Sequence, residues 1–502
     1  MLTLFAAAAL ASAVSTANCT ALTGFALDDG RIASAEFVPE GPFRAPAGAG
    51  ANTNTDQEPI PAHCRVKMVL TPSAQSAINV ELWLPAARWN GRFLAVGNGG
   101  WAGTIQGYND MRAALRRGYA TAGTDTGHSA ADGPNGMFAL GNQEKLVDFA
   151  YRAVHEMAEK SKAVITQAYG GPAQYSYFKG CSTGGRQGVM SAQRYPQDFD
   201  GIIAGALANR HIHMHVAQSY LHIFNNRNPE HSNPYQYTAD LINNSVLKQC
   251  DVLKDGFINE PRQCAFDFKD ITCSMEAGDS AYSESCLWQY QGVETTDYYG
   301  EGLRTSDGKV VFPGQVLGSP IPRLPFDFRP PDAFLWDTIR ILGFQDPDYN
   351  WRDFDLDRDL PLIDERVGFV DATDPDLREF EANGGKLLMY HGWADPSITP
   401  RTSIEYYESV IQEMDENDQD WMRLFMVPGM GHCSGGPGPY EFELLTTLER
   451  WRERGRTPNE LPASNPETGL TRPLCAWPKT AVYDGRGDTS NARNWDCKNL
   501  EE

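Results

Sequence analysis

The sequence contains no apolar run of the roughly 18 residues that a membrane-crossing helix needs. The run at residues 2–13 falls short of that length and leads into small residues, so residues 1–17 read as a secretory signal peptide cleaved near 13–17. Its first residues carry no Lys or Arg. There is no C-x-x-C pair, which argues against a structural zinc site. Basic residues are scarce: 43 Lys and Arg face 65 Asp and Glu, a net charge of -22. Such a surface repels phosphate backbones and anionic lipid, which excludes nucleic acid and membrane surfaces as partners. No internal repeat is visible, and the nearest approach to low complexity is the loop-like stretch at residues 45–61.

What is present points to a large secreted protein. With 502 residues, 41% hydrophobic and 11% aromatic, the chain can bury a large core and exceeds the usual single-domain size. One large domain with a sizeable insertion is expected. The ten cysteines make an even set, as a disulfide framework in an oxidising compartment requires. Asn18-Cys19-Thr20 and Asn243-Asn244-Ser245 match the N-glycosylation pattern, which is usable only on the secretory route.

The chain alternates strand-like and helix-like stretches. RVKMVL and INVELWLP alternate apolar and polar residues, as a half-buried hairpin does. RFLAV opens into the glycine-rich GNGGWAG, and YATAGTDTGHS repeats that plan. The spacing of Leu146, Phe149, Ala150, Ala153, Val154 and Met157 predicts a helix stopped by Gly170-Gly171. YSYFK is then a strand, residues 186–194 a helix, and DFDGIIAGALA a buried strand. The rhythm breaks between about 210 and 384, the candidate insertion, which holds Cys250, Cys264, Cys273 and Cys286. It resumes with KLLMYHGWADPSITP, a helix around 401–414, the strand of WMRLFMVPGMGHC and a last helix over roughly 440–455. The expected architecture is a mostly parallel α/β sheet.

Gly180-Cys181-Ser182-Thr183-Gly184 fits G-x-S-x-G, in which a serine sits on a tight turn between strand and helix. The order Ser, Asp, His then requires an acid after one late strand and a histidine after the last, and Asp395 and His432 stand there. In that reading Ser182 attacks an acyl carbonyl, His432 carries its proton to the leaving alcohol, and Asp395 holds the imidazole. If Ser182 and His432 approach to about 3 Å, the neighbouring Cys181 and Cys433 fall within the Cα separation of about 4.4–6.8 Å that a disulfide demands. The oxyanion calls for N–H donors from the residue after the nucleophile and from the loop after the third strand, which nominates Thr183 and Gly100.

Other signals are fainter. His211-Ile212-His213-Met214-His215 would align three imidazoles on one face of a strand, yet no partner ligand is evident nearby, and a polar lining at a cleft edge suits them better than a metal. His128 precedes Ser182 and so breaks the expected order; it reads as structural or near the pocket. Arg486-Gly487-Asp488 spells an adhesion tripeptide, the only support for a non-catalytic binding module on an esterase-like fold.

GCSTGGRQG with AQRYPQDFDGIIAGALA, HGWADPSITP and PGMGHC resembles the tannase and feruloyl esterase family of secreted esterases. WNGRFLAVGNGGWAG, TDTGHS, FQDPDYNWRDFDLDRD, DATDPDL and the terminal VYDGRGD carry the resemblance along nearly the whole chain. It implies an α/β-hydrolase fold with a large inserted lid: a catalytic domain of residues 18–209 and 385–502, and a lid of residues 210–384. It implies the triad Ser182, Asp395 and His432, a bridge from Cys181 to Cys433, and the pairs Cys19–Cys64, Cys250–Cys264, Cys273–Cys286 and Cys475–Cys497. The family's lid binds calcium, but the corresponding run here, CDVLKDGFINEP, is short by three residues. Asp251, Asp255 and the Phe257 carbonyl remain, against the six to eight oxygens that calcium prefers, so no cofactor is expected to be required and calcium is expected to be weak or absent. The implied function is a secreted, extracellular carboxylic ester hydrolase acting on aromatic, hydroxycinnamoyl esters of plant material, with tannase chemistry on galloyl esters as the alternative. Tyr220, Tyr235, Trp288, Phe326 and Trp336 are candidates to grip a phenolic ring, with the core of the lid as their other role.

Overall fold

Strands β1 (Gly30–Val38), β2 (His63–Leu70) and β3 (Ile78–Pro85) form an antiparallel entry to the sheet, with Met68 opposite Val80 and Lys67 opposite Glu81. β2 buries Cys64, Val66, Met68 and Leu70 and turns Arg65 and Lys67 outward, the alternation that a half-buried strand demands. The computed structural model describes residues 13–46, 49, 58–227, 235–273, 286–287, 299–320, 331–414 and 420–500. These fall into two compact units, Met1–Ile202 and Ile203–Glu502.

In the first unit β3 pairs antiparallel with β5 (Ala120–Thr124), and β4 (Arg92–Val96) lies parallel between β5 and β6 (Tyr175–Cys181). The parallel strands are joined through helices Tyr108–Arg116 and Ala153–Tyr169, as βαβ crossovers require. Helix Ala153–Tyr169 buries Ala153, Val154, Met157, Val164 and Ile165 on one face and ends at Gly170, whose φ of 77° supplies the left-handed stop. Ahead of it, residues Asp148–Arg152 widen into a π-turn. Arg186 binds the carbonyls there, Nη1 to Ala150 at 2.8 Å and Nη2 to Phe149 at 3.2 Å, which ties the helix after Ser182 to the body of the unit. Val14 is buried and its N–H donates to the Ala86 carbonyl at 3.1 Å, just ahead of helix Thr16–Ala21.

β7 (Gly201–Gly205) carries the chain into the second unit, where β10 (Lys386–Gly392) and β11 (Met422–Val427) pair in parallel from Leu387 opposite Met422 to Gly392 opposite Val427. Between β7 and β10 lies the insertion, with helices His211–Arg227, Tyr235–Cys250 and Leu356–Val367 and a small hairpin of β8 (Leu303–Arg304) and β9 (Val310–Phe312). Helix Arg401–Met414 follows β10 as predicted. The last helix is shorter than expected, Leu444–Arg454, because Glu441 exchanges both backbone hydrogen bonds with Ser464 at 2.9 Å and is committed to a bridge. The tail forms two hairpins, β12 (Glu460–Ser464) with β13 (Thr471–Cys475) and β14 (Thr480–Tyr483) with β15 (Trp495–Lys498).

All four distal disulfides form as the resemblance implies. Cys19–Cys64 lies in the first unit, and Cys250–Cys264, Cys273–Cys286 and Cys475–Cys497 lie in the second. Cys181 and Cys433 are disulfide-bonded as well, and no cysteine is free.

Candidate active site

Ser182 stands where β6 turns into helix Thr183–Arg194, which starts three residues earlier than the sequence predicts. Its backbone, φ 64° and ψ -124°, is one that a residue with a Cβ avoids at a cost of about 1–3 kcal/mol. Glycines around it permit the turn. A Cβ at Gly180 would meet the Gly184 carbonyl at 2.4 Å, and one at Gly97 would meet Gly184 Cα at 2.8 Å. The glycine-rich loop after β4 is thereby drawn against the start of the serine helix. Thr183 Oγ1 donates to the Gly100 carbonyl at 2.7 Å, so the two nominated oxyanion residues do meet. The N–H of Asn98 donates to Gln187 Oε1 at 3.0 Å and that of Gly99 to Gln106 Oε1 at 2.6 Å.

In the second unit Asp395 and His432 follow the adjacent strands β10 and β11. The Trp393 N–H donates to Val427 at 2.9 Å and the Ala394 N–H to Met430 at 3.0 Å, and a Cβ at Gly392 would come within 2.2 Å of the Met430 carbonyl. These contacts lock the two loops together. His432 Nδ1 then lies 2.7 Å from Asp395 Oδ2. Asp395 is fully buried, and its Oδ1 accepts from the N–H groups of Ser397 at 2.8 Å and Ile398 at 3.0 Å. Burial pushes this carboxyl up, but hydrogen bonds from His391 and His432 outweigh it and hold the group well below the usual carboxylate range. An ionised Asp395 accepts the hydrogen that His432 carries on Nδ1, which leaves the lone pair of a neutral His432 ring on Nε2. The insertion supports the loop: Gln315 Nε2 and Ser319 Oγ donate to the Asp395 carbonyl at 3.1 and 2.6 Å. A cavity of about 390 Å³ opens beside it, lined by Pro396, Ser397, Tyr220, Leu221, Phe312 and Gln218 among others.

Other candidates resolve differently. Residues 211–215 begin a helix instead of a strand. His211 and His215 are buried one turn apart with ring centroids at 4.3 Å, while His213 faces away to Asp371 Oδ2 at 2.7 Å and Asp364 Oδ1 at 3.2 Å, carboxylate partners that were not evident in the sequence. No cluster of three or more metal-ligating His, Cys, Asp or Glu occurs among the described residues. His128 is buried and stacked on Phe138 at 3.7 Å, and burial lowers its pKa to about 4, consistent with the structural alternative. Tyr220 lines the cavity, and Trp336 is buried against Tyr349 and Phe354. Trp288, Phe326 and the Tyr235 side chain lie outside the described residues. Asn243 sits half-buried within helix Tyr235–Cys250. In the Arg486-Gly487-Asp488 turn, Asp488 Oδ1 accepts from the Ser490 N–H at 2.9 Å and the Gly487 carbonyl from Tyr483 at 2.6 Å.

In the loop at 251–257, where calcium is expected to be weak or absent, the two acidic side chains meet donors of the protein itself. Asp251 accepts from the N–H groups of Asp255 and Gly256 at 3.2 and 2.9 Å, and Asp255 Oδ2 accepts from Arg472 at 3.1 Å. Both carboxylates are thus engaged by the protein's own donors, and a guanidinium already supplies the positive charge.

The family described as Tannase and feruloyl esterase matches residues 64–319 and 339–498. An uncharacterized esterase of Xanthomonas campestris pv. campestris is 33% identical over 98% of this chain and 92% of its own length. Feruloyl esterase B of Aspergillus niger is 31% identical over 86% of each chain. The crystal structure of feruloyl esterase B from Aspergillus oryzae superposes with a TM-score of 0.86 at 28% identity, covering 96% of this chain and 100% of that one. The fold is therefore the α/β fold with a large insertion that the sequence leads one to expect.

Proposed function

We propose, from the premise that this chain belongs to the tannase and feruloyl esterase family and is a carboxylic ester hydrolase, that it cleaves hydroxycinnamoyl esters of plant cell-wall material through an acyl-enzyme on Ser182. The observation that carries the reading is the 2.7 Å hydrogen bond from His432 Nδ1 to the buried Asp395, which leaves Nε2 poised as a base. Ser182 on its strained elbow is the nucleophile that this base serves.

In the first half-reaction Ser182 Oγ bonds to the acyl carbon as its proton passes to His432 Nε2. The N–H groups of Thr183 and Gly100 hold the oxyanion. Collapse breaks the ester C–O bond, and His432 returns the proton to the departing alcohol. Water then repeats the sequence and releases the aromatic acid, while Asp395 remains ionised throughout. The cavity beside Ser397 takes the aromatic part of the substrate, with Tyr220 and Phe312 against the ring.

Cys181 and Cys433 are joined in this reading, as the resemblance to the family implies. Residues 210–384 act as the lid, and the loop at 251–257 holds its shape without calcium. The chain is secreted, with a leader cleaved near residues 13–17. The decisive experiment compares turnover of methyl ferulate and methyl gallate by the wild type and Ser182→Ala. Ferulate hydrolysis lost in the variant supports the proposal; preference for gallate identifies a tannase, and activity retained in the variant removes Ser182 from the mechanism.

A further inference from the structure

Asp395 Oδ2 is shared by two imidazoles. Besides His432, the fully buried His391 brings Nε2 to 3.2 Å from the same oxygen, and to 3.1 Å from the Ile398 carbonyl. Both neighbours of that nitrogen are acceptors, so Nε2 carries a hydrogen and donates it between them. On the other side of the ring, Nδ1 lies 2.7 Å from Ser403 Oγ. Ser403 Oγ already accepts from the Leu207 N–H at 3.4 Å, and no other acceptor for its hydroxyl proton occurs among the described residues. That proton therefore points at Nδ1, which must hold a lone pair. The pattern fixes His391 as a neutral ring protonated on Nε2, within a directed chain: Leu207 N–H to Ser403 O–H to His391 N–H to Asp395.

We infer that His391 is a positioning residue for the reaction: through Ser403 it is locked in one tautomer and donates a second hydrogen bond to Asp395, fixing the carboxylate's rotamer and sharing the charge that Asp395 presents to His432. The inference rests on the reading of Asp395 and His432 as partners of Ser182. Geometry explains why two donors are needed on one oxygen. Oδ1 is oriented by the Ser397 and Ile398 N–H groups, whereas Oδ2 would otherwise be held by His432 alone, the group that must move charge during turnover. A neutral imidazole suits the role because it donates without adding a fixed positive charge that would compete with the imidazolium of His432. Asp395 is the one titratable group recorded in contact with His391 among the described residues.

The test uses the full-length protein and p-nitrophenyl acetate, whose hydrolysis needs the triad but no particular aromatic acid. His391→Phe keeps the ring shape and removes both nitrogens, His391→Gln keeps an N–H donor near the position of Nε2, and Ser403→Ala removes the lock on the tautomer. With His391→Phe the full charge of Asp395 falls on His432, so the acid limb of kcat/KM moves to higher pH by about 0.5 unit or more and its plateau falls by about tenfold. His391→Gln stays within about threefold of wild type with its limb in place, and Ser403→Ala moves the limb in the same direction as His391→Phe but less. A folded His391→Phe with the wild-type profile overturns the inference. If that variant does not fold, Ser403→Ala decides: a shifted limb supports the role and an unmoved one overturns it. Ser182→Ala and His432→Ala, run alongside, report separately on the triad, since activity surviving in them overturns the site itself and the inference with it.

Discussion

Arg472 Nη2 lies 3.1 Å from Asp255 Oδ2, joining strand β13 of the tail to a loop of the insertion 217 residues earlier in the chain. The guanidinium is fully buried, stacked on Trp495 at 3.8 Å, and donates to Asn259 Oδ1 and to the Thr489 carbonyl as well. Planar stacking and three directed bonds are what a guanidinium provides and an ammonium does not.

This buried cation leads to the first prediction. Removing one member of a buried ion pair costs about 3–5 kcal/mol because the other charge is left unpaired, so Arg472→Met lowers the unfolding free energy by about 3 kcal/mol in urea. Arg472→Lys recovers only part of that loss. Added calcium leaves the melting temperature of the wild type unchanged within about 1 °C, since a ligand stabilises only in proportion to its binding. Tight one-to-one calcium binding to chelator-treated protein, measured by calorimetry, would show that the loop takes an ion after all.

Stability should fall with rising pH through His213. Burial lowers the pKa of this histidine, but Asp364 and Asp371 outweigh that and raise it to about 9. A folded-state pKa above the unfolded value of about 6.5 contributes stability that is fully present below pH 6.5 and is lost as pH climbs through 9. With the side chain a quarter exposed, the contribution is on the order of 2 kcal/mol. Urea unfolding at pH 6, 7.5 and 9 checks it: the wild type loses stability across that range by more than His213→Gln does, and parallel slopes for the two proteins would rule the linkage out.

The strands were legible in the sequence because they obey local rules, and the three residues proposed for the chemistry were picked out by the strands they follow. RFLAV, YSYFK and KLLMYHG are compact apolar runs bounded by glycine, and each of Ser182, Asp395 and His432 follows such a run. The histidine-rich start of the insertion misled because H-I-H-M-H alternates over five residues. Its continuation buries Ile212, Val216 and Ile223, a helical spacing visible only over a longer window. Residues 440–443 look helical but are claimed by a bridge to Ser464, a partner more than twenty residues away. His391 lay four residues before Asp395 in plain view, yet its role depends on Ser403 from the following helix, and no local pattern announces that contact.

The proposed Cys181–Cys433 bridge should matter more to rate than to folding. It closes a loop far longer than a hundred residues, for which chain entropy alone gives about 5 kcal/mol, but it also joins the residue before Ser182 to the residue after His432. Ser182 and Cys433 both sit on constrained backbone, with φ 64° and 66°, so the chain has little freedom at either end of the bridge. General-base catalysis needs the hydroxyl and imidazole within about 3 Å, and displacements near 1 Å cost about a hundredfold in rate. Cys181→Ser with Cys433→Ser should therefore lower kcat/KM for methyl ferulate by about ten- to a hundredfold at temperatures where near-ultraviolet circular dichroism shows the fold intact. Graded reduction of the wild type should do the same, with activity falling before the dichroism signal does. Full activity in the folded double variant would mean that the two loops hold their register without the sulfurs, and the bridge would then be a stabilising staple alone.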